Sequence, residues 1–194
     1  MVGGRGASPS PTMSSPEGQR MKSFKDKVVV ITGAGGGMGL AYAEAFAREG
    51  AKLALNDWDA QSLGRAKERV LALGAPAAHV SSFDVSDRDA MYAFADAVRD
   101  TLGPAHIIIN NAGIEGEARP VWDMSDESYD KVLGVNLWGV IHGTRAFLPH
   151  LFDNGEGAVV NVSSIFGLVG PPVSSLITSR VLPRSSPGIA RPSC

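Results

Sequence analysis

A chain of 194 residues, 44% hydrophobic and 20% charged with a formal net charge of -2, suits one soluble α/β domain. That charge gives no support for nucleic-acid binding, and no apolar run is long enough to span a bilayer, so neither partner is expected. Cys194 is the only cysteine, which excludes an intrachain disulfide framework and fits a reducing, cytoplasmic setting. His79, His106, His142 and His150 are scattered without metal-ligand spacing; they read as surface or helix-end residues, and no metal is expected.

Residues 1–22 are rich in Gly, Ser and Pro without a hydrophobic period, and read as a disordered tail in which Met13 and Met21 are alternative starts. The folded unit is expected over 23–175, beginning near Phe24. Short apolar segments at 28–32, 52–56, 79–84, 107–110 and 158–162 read as strands. Helical periodicity lies between them at 39–49, 60–73, 88–102 and 128–151. Leu40, Ala43, Phe46 and Ala47 share one face of the first helix, and Met91, Phe94, Ala95 and Val98 one face of the third. Ser86 and Ser125 are expected N-caps, with Asp87 and Asp126 in the first turns. Alternating strands and helices predict a parallel sheet with right-handed crossovers. From Leu176 onward neither pattern persists, and residues 176–194, rich in Pro, Arg and Ser, read as a second disordered tail.

The first strand runs into Thr32-Gly33-Ala34-Gly35-Gly36-Gly37-Met38-Gly39, with a helix expected from about Met38. Glycines there make the tight turn, admit a phosphate to the backbone and let helix and strand pack closely. Free N–H groups at the helix start would face the anion. The loop therefore reads as nucleotide-binding. Its spacing is not Gly-x-Gly-x-x-Gly, however. Gly33, Gly37 and Gly39 follow Thr-Gly-x-x-x-Gly-x-Gly, which resembles the short-chain dehydrogenase/reductase family.

Further motifs follow in the family's order. Asp57 closes the second strand at about the 20-residue offset of a ribose-reading carboxylate, and no cation stands at Gly36 or Trp58 for a 2′-phosphate. NAD is thus favoured as cofactor over NADP. The resemblance gives Asp84 and Val85 contacts to adenine, although Asp84 also reads as an aspartate opening the next helix. Asn110-Asn111-Ala112-Gly113 ends the fourth strand; in the family this tetrapeptide ties the sheet together by asparagine side chains and lies along the cofactor ribose. Asn136 sits in an apolar helical stretch, either as a satisfied amide or, by the resemblance, as a holder of water in the proton relay. Ser164, with Ser163 beside it, aligns with the serine that hydrogen-bonds the substrate carbonyl.

The resemblance covers about 24–175 and implies a Rossmann-type doubly wound parallel sheet in the order 3-2-1-4-5, lacking the family's C-terminal strands. It implies hydride transfer between an alcohol and a ketone. The family's chemistry rests on a Tyr-x-x-x-Lys pair, due at positions occupied by Ile177 and Val181; no tyrosine follows Tyr129 and no lysine follows Lys131. The C-terminal segment is read as foreign to the family, as a frameshift or alternative exon would produce, and little turnover is expected. The alternative is a non-catalytic dinucleotide-binding or partner-binding module. The fifth strand would be an uncovered edge. Family-type homo-oligomers, which form through the helix of Asn136 and the one after it, are not expected.

Overall fold

The computed structural model describes residues 21, 23–117, 119 and 121–164. The two expected tails lie outside these residues, Met21 apart. Strands β1 (Val28–Thr32), β2 (Lys52–Asp57), β3 (Ala78–Ser82), β4 (Ile107–Asn110) and β5 (Ala158–Asn161) alternate with helices α1 (Gly37–Arg48), α2 (Ala60–Ala72), α3 (Arg88–Leu102), α4 (Asp126–Leu133) and α5 (Gly139–Asn154). All strand pairs are parallel, in the order β3-β2-β1-β4-β5, as the sequence predicts.

β1 is buried throughout because it is central and covered on both faces, which is why it reads as an unbroken apolar run. Its side chains alternate between two cores. Val28 and Val30 join Ile108 against Met91, Phe94 and Val98 of α3 and Phe147 of α5. Val29 and Ile31 join Leu53, Leu55 and Ile109 against Ala43 and Ala47 of α1 and Leu63 and Val70 of α2. Phe94 and Phe147 meet edge to face, centroids 5.8 Å apart. Truncating either would cost about 3–5 kcal/mol by the usual aromatic-to-alanine scale. β5 ends the sheet among the described residues, and its side chains are exposed.

Several boundaries differ from the sequence reading for local reasons. α1 begins at Gly37, ahead of Met38, and β3 stops at Ser82. β2 runs one residue further, to Asp57, and β5 stops at Asn161. Asp87, not Ser86, caps α3: its carboxylate accepts the Ala90 N–H at 3.0 Å, while the Ser86 hydroxyl turns back to Asp84 Oδ1 at 2.8 Å. Ser125 caps α4 as expected, accepting the Ser128 N–H. The single helix expected over 128–151 is instead α4, a wider π turn over Gly134–Trp138, and α5.

His150 is the clearest correction. It is 2% exposed, inside α5, and its Nδ1 accepts the Ala105 N–H at 3.1 Å. Asn154 Nδ2 holds the Ala105 carbonyl at 2.9 Å, so α5 latches the turn entering β4. Beside it His106 Nδ1 accepts the Val28 N–H at 3.2 Å. Burial is the main cause holding both imidazoles below their ordinary pKa, with Arg99 acting on His150 and Lys27 on His106.

Candidate active site

Thr32, Asp57 and Asn110 close their strands at one end of the sheet, the carboxyl end where open α/β folds bind ligands. Gly33 turns the chain with φ of +65°. The loop then folds over β2: Ala34 N–H donates to Asn56 O at 2.8 Å and Gly35 N–H to Asp57 Oδ2 at 2.8 Å. Asp57 Oδ1 accepts the Asp59 N–H at 3.1 Å. Two backbone donors thus fix the carboxylate, and each oxygen keeps further acceptor capacity.

A Cβ on Gly39 would stand 2.1 Å from Gly33 O and 2.7 Å from Asn111 Nδ2. Only glycine lets α1 come that close to the loop. α1 has no side-chain N-cap and no acidic residue in its first turn, so the positive end of its dipole is left uncompensated. Those free N–H groups and the Gly33 turn form a cradle for an anion.

Asn111 closes the far side. Its Nδ2 donates to Thr32 O at 2.9 Å and Gly33 O at 3.2 Å, while Thr32 Oγ1 accepts the N–H groups of Asn111 and Ala112. Asn110 Nδ2 donates to Thr144 Oγ1 at 3.1 Å and Asn161 Oδ1 at 2.8 Å, joining β4 to α5 and β5. The tetrapeptide therefore does tie the sheet together by asparagine side chains. Asn136 lies in the π turn, its Oδ1 accepting the Ile114 N–H and its Nδ2 donating to the Ile114 carbonyl, both at 2.9 Å. Both ends of the amide are engaged, and the clamp sets the backbone just beyond Gly113.

A cleft of about 720 Å³ opens between these elements. It gathers Gly33, Met38, Asp57, Asp84, Val85, Asn111, Ala112 and Gly113 from the expected set. Gly37 (φ of +53°) and Gly39 shape the loop from outside the lining, and Asn136 and Ser164 also stand outside it. Ser164 is half-buried beyond the end of β5. Asp84 lines the cleft and also turns the chain toward α3, its Oδ1 accepting the Ser86 N–H at 2.9 Å. Sequence reasoning did not assign Asn56, Trp58, Phe83, Ile114, Lys131 and Val135 to the lining. For Asn56 and Trp58 the signal was their place beside Asp57; the others depend on how α4 and the β3–α3 turn fold over the sheet.

Among the described residues no cluster of His, Cys, Asp or Glu could hold a metal ion. No helix among them is long and apolar enough to cross a membrane. Residues 27–178 match the short chain dehydrogenase family. The chain belongs to that family. A Mycobacterium tuberculosis protein named as an oxidoreductase, SadH, is 43% identical over 156 residues, 80% of this chain and 55% of that protein. An NAD+-bound xylitol dehydrogenase structure superposes with a TM-score of 0.78 at 33% identity, over 81% of this chain and 60% of that one. A metagenomic short-chain oxidoreductase in complex with NADP gives 0.76 at 29% identity, over 80% and 70%. The chain thus spans little more than half the length of the curated relative, and relatives of this fold are found with either dinucleotide.

Proposed function

We propose that residues 23–175 form the dinucleotide-binding unit of an NAD-dependent oxidoreductase acting on an alcohol or ketone. The observation that carries this reading is the Asp57 carboxylate, held at the cleft by the N–H groups of Gly35 and Asp59. In that position it accepts hydrogen bonds from the adenosine ribose hydroxyls and repels a 2′-phosphate, which favours NAD(H) over NADP(H). Gly33, Gly37, Met38 and Gly39 would carry the pyrophosphate at the start of α1. Asp84 and Val85 would flank the adenine, and Asn111, Ala112 and Gly113 the nicotinamide ribose. When bound, the dinucleotide supplies the hydride. The single cysteine suits the cytoplasm.

Of the family's catalytic set this chain keeps Asn136 and Ser164, whereas Ile177 and Val181 stand where the proton-transferring tyrosine and its lysine are due. Ser164 would hold the substrate carbonyl and Asn136 the segment beyond Gly113. General acid–base catalysis is worth about 10²–10⁴-fold, so a polypeptide of this sequence binds dinucleotide with little turnover. That contrast also favours the second reading, a non-catalytic binding module. Titration with NADH and NADPH by fluorescence, alongside ketone reduction, tests both. Expected are tighter NADH binding and negligible turnover, with Asp57→Asn weakening NADH about 10-fold, within the 1–3 kcal/mol of a charged hydrogen-bonding group. A preference for NADPH in the unchanged protein would refute the role of Asp57, and brisk ketone reduction would refute inactivity.

A further inference from the structure

Met38 is the second residue of α1 and lines the cleft, and its side chain is 59% exposed. Met91 and Met124, by contrast, are 0% and 9% exposed. The Tyr42 hydroxyl leans back along the helix and donates to Met38 Sδ at 3.9 Å, the long, weak bond that a thioether accepts. The side chain is therefore held on α1 with most of its surface open to solvent.

Its chemistry matters because of where it stands. No side chain caps the start of α1, and the first turn holds no acid. A thioether accepts too weakly to serve those N–H groups. One oxygen added to the sulfur changes that. The sulfoxide oxygen is as many bonds from Cα as the side-chain oxygen of glutamine, a residue that reaches back to free N–H groups in the first turn of a helix. Helical side chains lean toward the N-terminus, which aims this oxygen at the uncapped groups. We propose that Met38 is an oxidation switch on the anion cradle: its sulfoxide occupies the N–H groups that the pyrophosphate of a dinucleotide needs, and the cleft releases its ligand. This rests on the cleft reading above and adds a modification site to it. The co-reactant is a peroxide. The sulfur lone pair attacks one oxygen of hydrogen peroxide, the O–O bond breaks and the S–O bond forms. The proton on the transferred oxygen passes to the departing hydroxide, which leaves as water. Sulfur gives up two electrons and the peroxide takes them. Methionine sulfoxide reductases, one for each epimer, reverse the change.

The experiment uses the full chain, hydrogen peroxide as oxidant and ADP-ribose as probe, which carries the pyrophosphate without a nicotinamide. Peptide mass spectrometry follows oxygen gained at Met38, and calorimetry after removal of the peroxide gives the affinity. Met38 is expected to gain one oxygen ahead of Met91 and Met124, and ADP-ribose to bind about 10-fold more weakly, the scale of a hydrogen bond to a charged group. Treatment with both reductases should restore the affinity. Met38→Leu has no thioether, so its affinity, whatever the starting value, should be the same before and after peroxide. Met38→Gln supplies the oxygen without peroxide and should bind more weakly than Met38→Leu. A side chain this exposed leaves no cavity when replaced, so loss of folding does not confound the comparison. Met38 left unoxidised, Met38 sulfoxide with undiminished affinity, or an equal loss in Met38→Leu overturns the switch alone. No ADP-ribose binding by the untreated chain overturns the cleft reading and this inference with it.

Discussion

Substituting Gly39 by alanine tests how tightly α1 is seated on the cradle. The added Cβ would lie 2.1 Å from Gly33 O and 2.8 Å from Gly33 C, both backbone atoms that no rotamer change can move. An ordinary carbon–oxygen contact is about 3.3 Å, so loop and helix must part by roughly 1 Å. Overpacking of this kind costs about 1–3 kcal/mol. The same movement breaks the Asn111 Nδ2 bond to Gly33 O, worth about 1 kcal/mol net. Alanine's helix propensity returns up to about 1 kcal/mol. The balance is a loss of about 1–3 kcal/mol, or about 3–10 °C in Tm for a chain of this size. Gly36→Ala is the control: nothing lies within 4 Å of its Cβ, its φ of -167° is ordinary extended backbone, and its midpoint should stay within about 0.5 kcal/mol. Thermal and urea denaturation of the pair give the answer. Equal midpoints for the two variants would refute the reasoning.

Two further outcomes follow from the opposite end and the edge of the sheet. His150, His106 and His79 all titrate below the ordinary 6.5 in the folded chain, burial being the first cause in each. The unfolded chain therefore takes up protons first; stability holds above pH 6.5 and is lost as pH falls through the folded values. Urea midpoints between pH 7.5 and 5.5 should fall, and His150→Asn should flatten the slope; a flat profile in the unchanged protein would sink this account. At the edge, Val160 is 42% exposed on β5, and Val160→Lys should lower concentration-dependent light scattering, as charge does on edge strands. Undiminished scattering would show that association proceeds elsewhere.

Elements governed by local pattern were legible in the sequence. α3 and β4 match their expected bounds because an amphipathic period and a run of isoleucines define them without outside help. The π turn was not legible, because it accompanies a contact from elsewhere in the chain, the Asn136 amide clasping the Ile114 main chain. His150 was misjudged for a related reason: a histidine reads as polar until a buried N–H such as that of Ala105 gives its ring nitrogen a partner. In the site, Gly33, Asp57, Asp84, Val85, Asn111, Ala112 and Gly113 came together because they sit at or just beyond strand ends, where order along the chain maps onto position. Ile114, Lys131 and Val135 arrive from segments whose placement depends on packing, which no spacing rule encodes.

The histidine latches stand at the amino ends of the strands, and the cleft opens at their carboxyl ends, on the order of 15 Å away along β4. No ligand seated in the cleft can touch His106 or His150. Protons and dinucleotide nonetheless act on the same folding equilibrium from its two poles. A ligand at 100 times its Kd adds about 2.7 kcal/mol to the folded state by mass action. Acid tolerance therefore becomes a gauge of occupancy, so that the pH at which half the molecules unfold moves downward as the cleft fills.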